Sequence, residues 1–76
     1  MEFEKIQAII ADQLGKNPDE ITEDTNFMDD LGADSLDLFS IISELETAFD
    51  MEFSPDAAEK IKTVGDAAEY IRSILQ

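Results

Sequence analysis

Residues 35–49 read SLDLFSIISELETAF, and their apolar side chains recur at the spacing of an amphipathic helix. A helical wheel predicts that one face is buried, and that face carries Leu38, Ile41, Ile42, Leu45 and Phe49. The opposite face is polar, with Asp37, Ser40, Ser43, Glu44 and Thr47, but it also carries Leu36. We therefore expect a helix from about Ser35 to Phe49 that exposes one apolar side chain beside carboxylates.

The same periodicity occurs on both sides of this stretch. A first helix is predicted from an apolar stripe that Gly15 ends, formed by Phe3, Ile6, Ile9, Ile10 and Leu14. Ser54, Pro55 and Asp56 are a helix-start signal for a short helix that reaches about Ile61. A last helix follows Thr63, with a stripe of Val64, Ala67, Ala68, Ile71, Ile74 and Leu75. The fold class is thus all-α, a small helical bundle of three longer helices plus one short helix.

A long loop follows the first helix, from Gly15 to Asp34. Asn17 and Pro18 predict a short helical turn that reaches Ile21. We expect four apolar side chains to anchor the loop in the core: Ile21, Phe27, Met28 and Leu31. A second, shorter connection is expected to bury Met51 and Phe53. Because a connection of this length is unusual in so small a domain, the long loop is expected to serve function.

Composition excludes several functions for this 76-residue chain, which is long enough for one domain, residues 1–76. Nineteen acidic residues against five basic ones give a net charge of −14, which argues against nucleic-acid or anionic-membrane binding. Without Cys or His, an autonomous enzyme lacks the usual nucleophile and general base, so no catalytic residue is predicted. No EF-hand or other metal site is predicted, and no segment is apolar enough for membrane insertion. We expect a cytoplasmic monomer.

Ser35 lies where the long loop meets the second predicted helix, beside Asp34. Either side chain can serve as the N-cap, and a capping serine needs no further role. The positive end of the helix dipole and the free N–H groups also favour a phosphate there. Ser35 is therefore either a helix cap or the attachment point of a phosphodiester.

The segment from Gly32 to Asp37, Gly-Ala-Asp-Ser-Leu-Asp, resembles the Asp-Ser-Leu signature of acyl carrier proteins. The resemblance continues through Phe27-Met28-Asp29-Asp30-Leu31 and the end of the second helix. It also includes the downstream segment AEKIKTVGDA, residues 58–67. Asp-Ser-Leu alone is a weak signal, whereas its combination with length, acidity and the Thr-Val-Gly-Asp segment is specific.

The resemblance implies that Ser35 carries a covalent 4′-phosphopantetheine arm, transferred from coenzyme A by a phosphopantetheinyl transferase. The thiol of that arm would hold acyl intermediates as thioesters, which agrees with a chain that contains no Cys. The implied partners are that transferase and fatty-acid synthesis enzymes with basic docking patches. Family members also enclose the acyl chain between their helices. In this chain the lining would be Phe27, Ile42, Leu45, Ile61 and Ala67.

Recognition by partners is expected from the outward face of the second helix. The candidate residues are Asp34, Leu36, Asp37, Glu44 and Glu46. Where a common fatty-acid carrier has Thr-Val-Glu-Leu after the signature, this chain has Leu38-Phe39-Ser40-Ile41. Ser40 therefore lacks a usual acidic contact, and Thr47 and Ala48 also replace glutamates. Phe39, at the edge of the buried sector, is expected to change the acyl cavity.

Three hypotheses follow from the sequence. The first is an acyl carrier protein of fatty-acid biosynthesis, which is not itself a catalyst. The second keeps the carrier chemistry but changes the cargo to a polyketide, an aminoacyl group or a specialised acid, and it is supported by the reduced acidity of the second helix. The third is an acidic helical adaptor in which Ser35 is a helix cap only.

Overall fold

The computed structural model describes residues 2–75, which form four α-helices. They are α1 (Glu2–Leu14), α2 (Ser35–Phe49), α3 (Pro55–Lys60) and α4 (Val64–Leu75). A short 3-10 helix, Pro18–Glu20, lies in the loop after α1. Within the described residues there is no strand, only an isolated antiparallel bridge between Asn26 and Thr63. The predicted all-α bundle of three longer helices and one short helix is confirmed.

The core lies between α1, α2 and α4, because α1 packs against both other long helices. Its largest fully buried side chains come from all three helices and from the long loop, and they are Phe27, Ile6, Ile10, Ile21, Ile41, Leu45, Ile71 and Val64. Met51 and Phe53 are buried as predicted. Three predicted core residues are exposed instead, namely Met28, Ile74 and Leu75. The last two lie in the final turn of α4, and each is 48% exposed.

The long loop is tied to the beginning of α4 by backbone hydrogen bonds. The Phe27 N–H donates to the Lys62 carbonyl at 3.0 Å, and the Val64 N–H donates to the Thr25 carbonyl at 2.9 Å. These bonds flank the bridge between Asn26 and Thr63. They satisfy backbone groups that a buried loop would otherwise leave unpaired. The loop therefore has a fixed position in spite of its length.

Gly65 allows the loop and α4 to approach closely. Its N–H donates to the Glu23 carbonyl at 2.9 Å, and a Cβ added at Gly65 would lie 2.8 Å from that oxygen. Any larger residue would push the two segments apart. Glu23 also forms an ion pair with Arg72 of α4, at 3.8 Å. This close approach gives a structural reason for the glycine in the Thr-Val-Gly-Asp segment.

Asp66 and Thr63 form a reciprocal capping box at the start of α4. The Asp66 carboxylate accepts from the backbone N–H groups of Lys62 and Thr63, at 3.0 and 3.1 Å. The Thr63 hydroxyl accepts from the Asp66 N–H at 3.1 Å. The Lys62 N–H bond lowers the pKa of Asp66 most; the Thr63 bonds and the Lys62 charge add to this, and burial opposes it. The ionised carboxylate is thus favoured in the folded state.

Within residues 2–75, no helix is both long and apolar enough to cross a lipid bilayer.

Substituting Asp66→Asn is expected to cost about 1 kcal/mol of unfolding free energy at pH 7, because it replaces the charged acceptor of the capping box with a neutral amide. A lowered pKa stabilises the fold above the carboxyl's unfolded pKa, and that stabilisation disappears as pH falls through the folded pKa. The difference between the protein and Asp66→Asn should therefore be constant above about pH 5 and shrink below about pH 4. Urea unfolding at several pH values measures this difference.

Asp12→Asn is the control, since it removes an exposed carboxylate from α1 and changes the net charge equally. With a net charge of −14, relief of self-repulsion should make this control neutral or stabilising at pH 7. If the difference in unfolding free energy between the protein and Asp66→Asn does not change with pH, the lowered pKa assigned to Asp66 is contradicted.

Candidate functional site

The start of α2 is held by two carboxylates and not by the serine between them. The Asp34 carboxylate accepts from the Asp37 N–H at 2.9 Å, and the Asp37 carboxylate accepts from the Asp34 N–H at 3.3 Å. Asp34 is therefore the N-cap in a capping box, and Ser35 is the first helical residue. Of the two cap candidates that the sequence leaves open, Asp34 is the one that caps the helix.

The Ser35 side chain is exposed, and its hydroxyl makes no hydrogen bond to any residue in the part of the chain that the structure describes. The Ser35 and Leu36 backbone N–H groups of the first turn likewise have no acceptor among residues 2–75. These donors and the helix dipole favour an anionic group at this position. A phosphodiester on the Ser35 oxygen therefore fits the residues present.

The loop before α2 positions Ser35. The Asn26 side chain accepts from the Met28 and Asp29 N–H groups, and Asp30 accepts from the Asn26 N–H. The Ala33 N–H donates to the Phe27 carbonyl at 2.9 Å. Phe27 is itself 1% exposed and lies in the core. The residues that lead into Ser35 are thus connected to the core through Phe27.

A groove of about 510 Å³ opens beside Ser35 and runs between α2 and α3. The α2 wall consists of Ser35, Leu38, Phe39 and Ile42. The opposite wall comes from α3 and the residues after it, namely Pro55, Ala58, Glu59, Ile61 and Lys62. The loop before α2 contributes Asn26, Phe27, Met28 and Asp29 to the lining. Most of the lining is apolar, so the groove is suited to an apolar ligand.

Of the five residues expected to line an acyl cavity, three line the groove and two lie in the core. Phe27, Ile42 and Ile61 line the groove beside Ser35. Leu45 and Ala67 do not reach it, because they are packed in the core with 0% and 1% exposure. On the α2 wall, the groove therefore extends only as far as Ile42.

The residues expected to contact partners also differ in their surroundings. Leu36 is 76% exposed, as the helical wheel predicts. Glu44 is exposed, and no hydrogen bond to its side chain occurs within residues 2–75. Glu46 is half-buried and accepts from the Phe53 N–H at 2.8 Å, which ties α2 to the segment before α3. Asp34 and Asp37 cap α2, so three of the four acidic candidates also stabilise the fold.

Two groove residues were not placed correctly by sequence reasoning. Met28 was expected in the core but is 52% exposed and lines the groove. Phe39 was expected at the edge of the buried face, yet it is 64% exposed. The spacing of Ser35, Leu38, Phe39 and Ile42, at i, i+3, i+4 and i+7, could have predicted from the sequence that they share one face of α2. Nothing comparable marks Met28, whose position depends on the loop.

Comparison with known proteins identifies the family. A family model described as a phosphopantetheine attachment site matches residues 4–71. The chain belongs to this family. It is similar to a Mycobacterium tuberculosis protein assigned as an acyl carrier protein, with 40% identity and a TM-score of 0.92, over 97% of this chain and 99% of that one. An acyl carrier protein from Enterococcus faecalis shares 40% identity with a TM-score of 0.80, over 95% and 91% of the two chains.

Membership of the phosphopantetheine-attachment family defines the general role of this protein. Its domain is of the kind to which 4′-phosphopantetheine becomes covalently attached, and the cofactor prediction is confirmed. The protein is an acyl carrier and not a catalyst, as expected from the sequence. Proteins of this family interact with transferases and synthesis enzymes, which perform the chemistry.

Substitutions at the adjacent residues Asp34 and Ser35 measure separately what the capping carboxylate and the free hydroxyl contribute to stability. Asp34→Ala is expected to lower the unfolding free energy by about 1 kcal/mol, because the Asp37 N–H loses its acceptor. Ser35→Ala is expected to change it by less than about 0.5 kcal/mol, because the hydroxyl is exposed and unbonded. Urea unfolding followed by circular dichroism measures both.

Asp34→Asn is the matched control, since asparagine caps helices as well as aspartate does. It should restore most of the stability lost in Asp34→Ala. Equal losses in Ser35→Ala and Asp34→Ala would show that the serine hydroxyl contributes to the cap.

Proposed function

We propose that Ser35 is the residue that carries 4′-phosphopantetheine, and that the protein carries acyl intermediates of fatty-acid biosynthesis. One observation carries the proposal for Ser35: its hydroxyl is exposed and unbonded among residues 2–75, at the first position of α2 and beside an apolar groove. A transferase can reach such a hydroxyl without unfolding the helix. The Asp-Ser-Leu sequence around it supports the same residue.

Each residue near Ser35 has a distinct proposed role. Within a separate transferase, the Ser35 oxygen would attack the phosphorus of the coenzyme A pyrophosphate that bears pantetheine, and its proton would pass to a base of that enzyme. The pyrophosphate P–O bond breaks, adenosine 3′,5′-bisphosphate leaves, and the Ser35 oxygen becomes the ester oxygen of a phosphodiester. The free N–H groups of Ser35 and Leu36 then lie close to that anion and favour it. Asp34 and Asp37 keep the first turn of α2 formed. When attached, 4′-phosphopantetheine supplies a terminal thiol that holds the acyl group as a thioester, a thiol that this Cys-free chain lacks.

The groove between α2 and α3 is the proposed binding site for the acyl chain. Phe27, Ile42 and Ile61 supply buried apolar surface along it. Leu45 and Ala67, also proposed for this site, belong to the same buried core cluster as these three residues. Transfer of an apolar chain from water to such a surface is favourable in proportion to the area covered.

Partner enzymes are proposed to dock on the outward face of α2 through basic patches. The net charge of −14 would attract such patches over long distances and raise association rates more than affinity. Leu36 provides an exposed apolar contact, with Glu44 on the same helix. Asp34, Asp37 and Glu46 add negative charge in addition to their structural hydrogen bonds. We further propose that residues 1–76 act as a single monomeric carrier domain in the cytoplasm.

A second candidate function is a carrier for a specialised cargo, such as a polyketide or aminoacyl group. The observation that favours it is the polar, uncharged surface that Ser40, Ser43 and Thr47 give to the exposed face of α2. This face therefore presents fewer carboxylates to docking enzymes than the resemblance to fatty-acid carriers predicts. The adaptor hypothesis loses its main support, since Asp34 and not Ser35 caps the helix.

Incubation with coenzyme A and a broad-specificity phosphopantetheinyl transferase should add one phosphopantetheine group to the protein. Intact-mass spectrometry measures the addition, and Ser35→Ala should gain no mass. Ser40→Ala is the matched control, because Ser40 is another exposed serine of α2 and should leave the addition unchanged. Modification of Ser35→Ala would contradict the assignment of the serine.

Loading assays distinguish fatty-acid synthesis from a specialised pathway. The phosphopantetheine-bearing protein should accept malonyl and saturated acyl groups from fatty-acid synthesis enzymes, and the rate should fall as salt screens the attraction. The double variant Ser40→Glu, Thr47→Glu restores two carboxylates to the outward face of α2. If these enzymes load the double variant but not the unsubstituted protein, the result would support the specialised carrier instead.

A further inference from the structure

Of the described residues that line the groove beside Ser35, Lys62 is the one with a basic side chain. Its backbone is held from two directions, because its N–H donates to the Asp66 carboxylate and its carbonyl accepts from the Phe27 N–H, both at 3.0 Å. The residue is exposed, and its amine makes no ion pair or hydrogen bond within residues 2–75. An unengaged primary amine is thus fixed, at its backbone, to the edge of the groove.

The other lysines of the chain are placed differently. Lys60 comes two residues before Lys62, yet it lines a separate cleft between α3 and α4. The Lys5 amine donates to the Ala48 carbonyl at 3.3 Å. Ala48 lies near the far end of α2, and at 1.5 Å per residue its backbone is roughly 20 Å from the first residue of that helix. Lys16 lines neither the groove nor the cleft.

We propose that Lys62 is a second acylation site, whose amine accepts the acyl group from the thioester carried on Ser35. The inference rests on the proposed carrier function of Ser35, and it adds a covalent bond to the protein that the carrier function does not require. The substrate is the acyl thioester of the protein's own arm. The product is an acylated Lys62 beside an arm whose thiol is free again.

The step is an acyl transfer from sulfur to nitrogen. The uncharged Lys62 amine attacks the thioester carbonyl carbon, so that a C–N bond forms and the C–S bond breaks. The proton that the nitrogen loses passes through water to the departing sulfur, and the products are an amide and a thiol. No oxidant or further reactant is needed. Because most lysine amines are protonated at neutral pH, the transfer is slow there and faster in alkaline buffer.

Tethering of the thioester selects Lys62 among the lysines. An acyl chain in the groove is joined through its carbonyl carbon to the sulfur of the arm, which brings the thioester to the groove that Lys62 lines. A short tether gives an effective concentration on the order of 1 mM. At about 10 μM protein, transfer within one molecule is therefore favoured by about a hundredfold over transfer between molecules. Lys60 benefits less, because its cleft lies on another side of α3.

The test uses the phosphopantetheine-bearing protein loaded with an octanoyl group, which intact-mass spectrometry verifies first. The loaded protein is incubated in mildly alkaline buffer and then treated with hydroxylamine, which cleaves thioesters and leaves amides. We expect an octanoyl group that resists hydroxylamine. Peptide mapping should place it on Lys62, at a rate at least about ten times that of Lys60. The rate constant should stay the same when the protein concentration is raised tenfold, since the reaction occurs within one molecule.

Lys62→Arg should lose the resistant octanoyl group. Lys60→Arg is the matched control, because it changes another exposed lysine in the same way, and it should keep the group. Ser35→Ala mixed with octanoyl-coenzyme A at the same concentration should show no preference for Lys62, because the thioester is no longer tethered.

The outcomes separate this inference from the proposed function. A protein that gains no arm on Ser35 would refute the proposed function, and this inference with it. With the arm and the octanoyl group in place, three results would overturn the inference alone: equal acylation of Lys62 and Lys60, a rate constant that rises in proportion to protein concentration, or loss of the thioester by hydrolysis without any amide.

Discussion

The attachment of the long loop to the start of α4 is the constraint on which the rest of the site depends. The backbone bonds from Phe27 to Lys62 and from Val64 to Thr25 fix the loop. Gly65 permits its close approach. Phe27, held by these bonds, fills the core with its side chain and accepts the Ala33 N–H with its carbonyl. The orientation of Ser35 is thereby linked to α4 through a short series of named contacts, although the two are distant in sequence.

Helix periodicity and capping rules account for most of the fold because they depend on local sequence alone. The bounds predicted for α2 match those observed, and the helical wheel places Leu36 outside correctly. The choice between Asp34 and Ser35 as cap could also have been made from sequence. With Asp34 as cap, the third helical residue is Asp37, which can return the hydrogen bond. With Ser35 as cap, that residue would be Leu38, which cannot.

Positions that depend on tertiary contacts could not be predicted in this way. Met28 has the same apolar character as its neighbour Phe27, and only the loop's path decides that one is exposed and the other buried. Ile74 continues the stripe of α4 but is 48% exposed, and the spacing of the stripe does not tell which of its turns are covered. The groove depends on how α2, α3 and the loop are arranged in space, which the sequence pattern does not show. The sequence therefore predicted three lining residues correctly but also assigned Leu45 and Ala67 to the groove, which they do not line.

The two sides of the groove differ in how firmly they are held, and this difference bears on how cargo enters and leaves. α2 is anchored by Ile41 and Leu45 in the core, whereas no residue of α3 is buried. Ala58 of α3 is partly buried against the core. The Ser54 side chain caps the start of α3, Ile61 is buried just after its end, and Phe53 before it stacks on Tyr70 at 4.8 Å. A helix with so little buried surface can shift at small cost in free energy. Of the two walls of the proposed acyl site, α3 is therefore the one whose displacement costs less free energy, while the core holds α2 and with it Ser35.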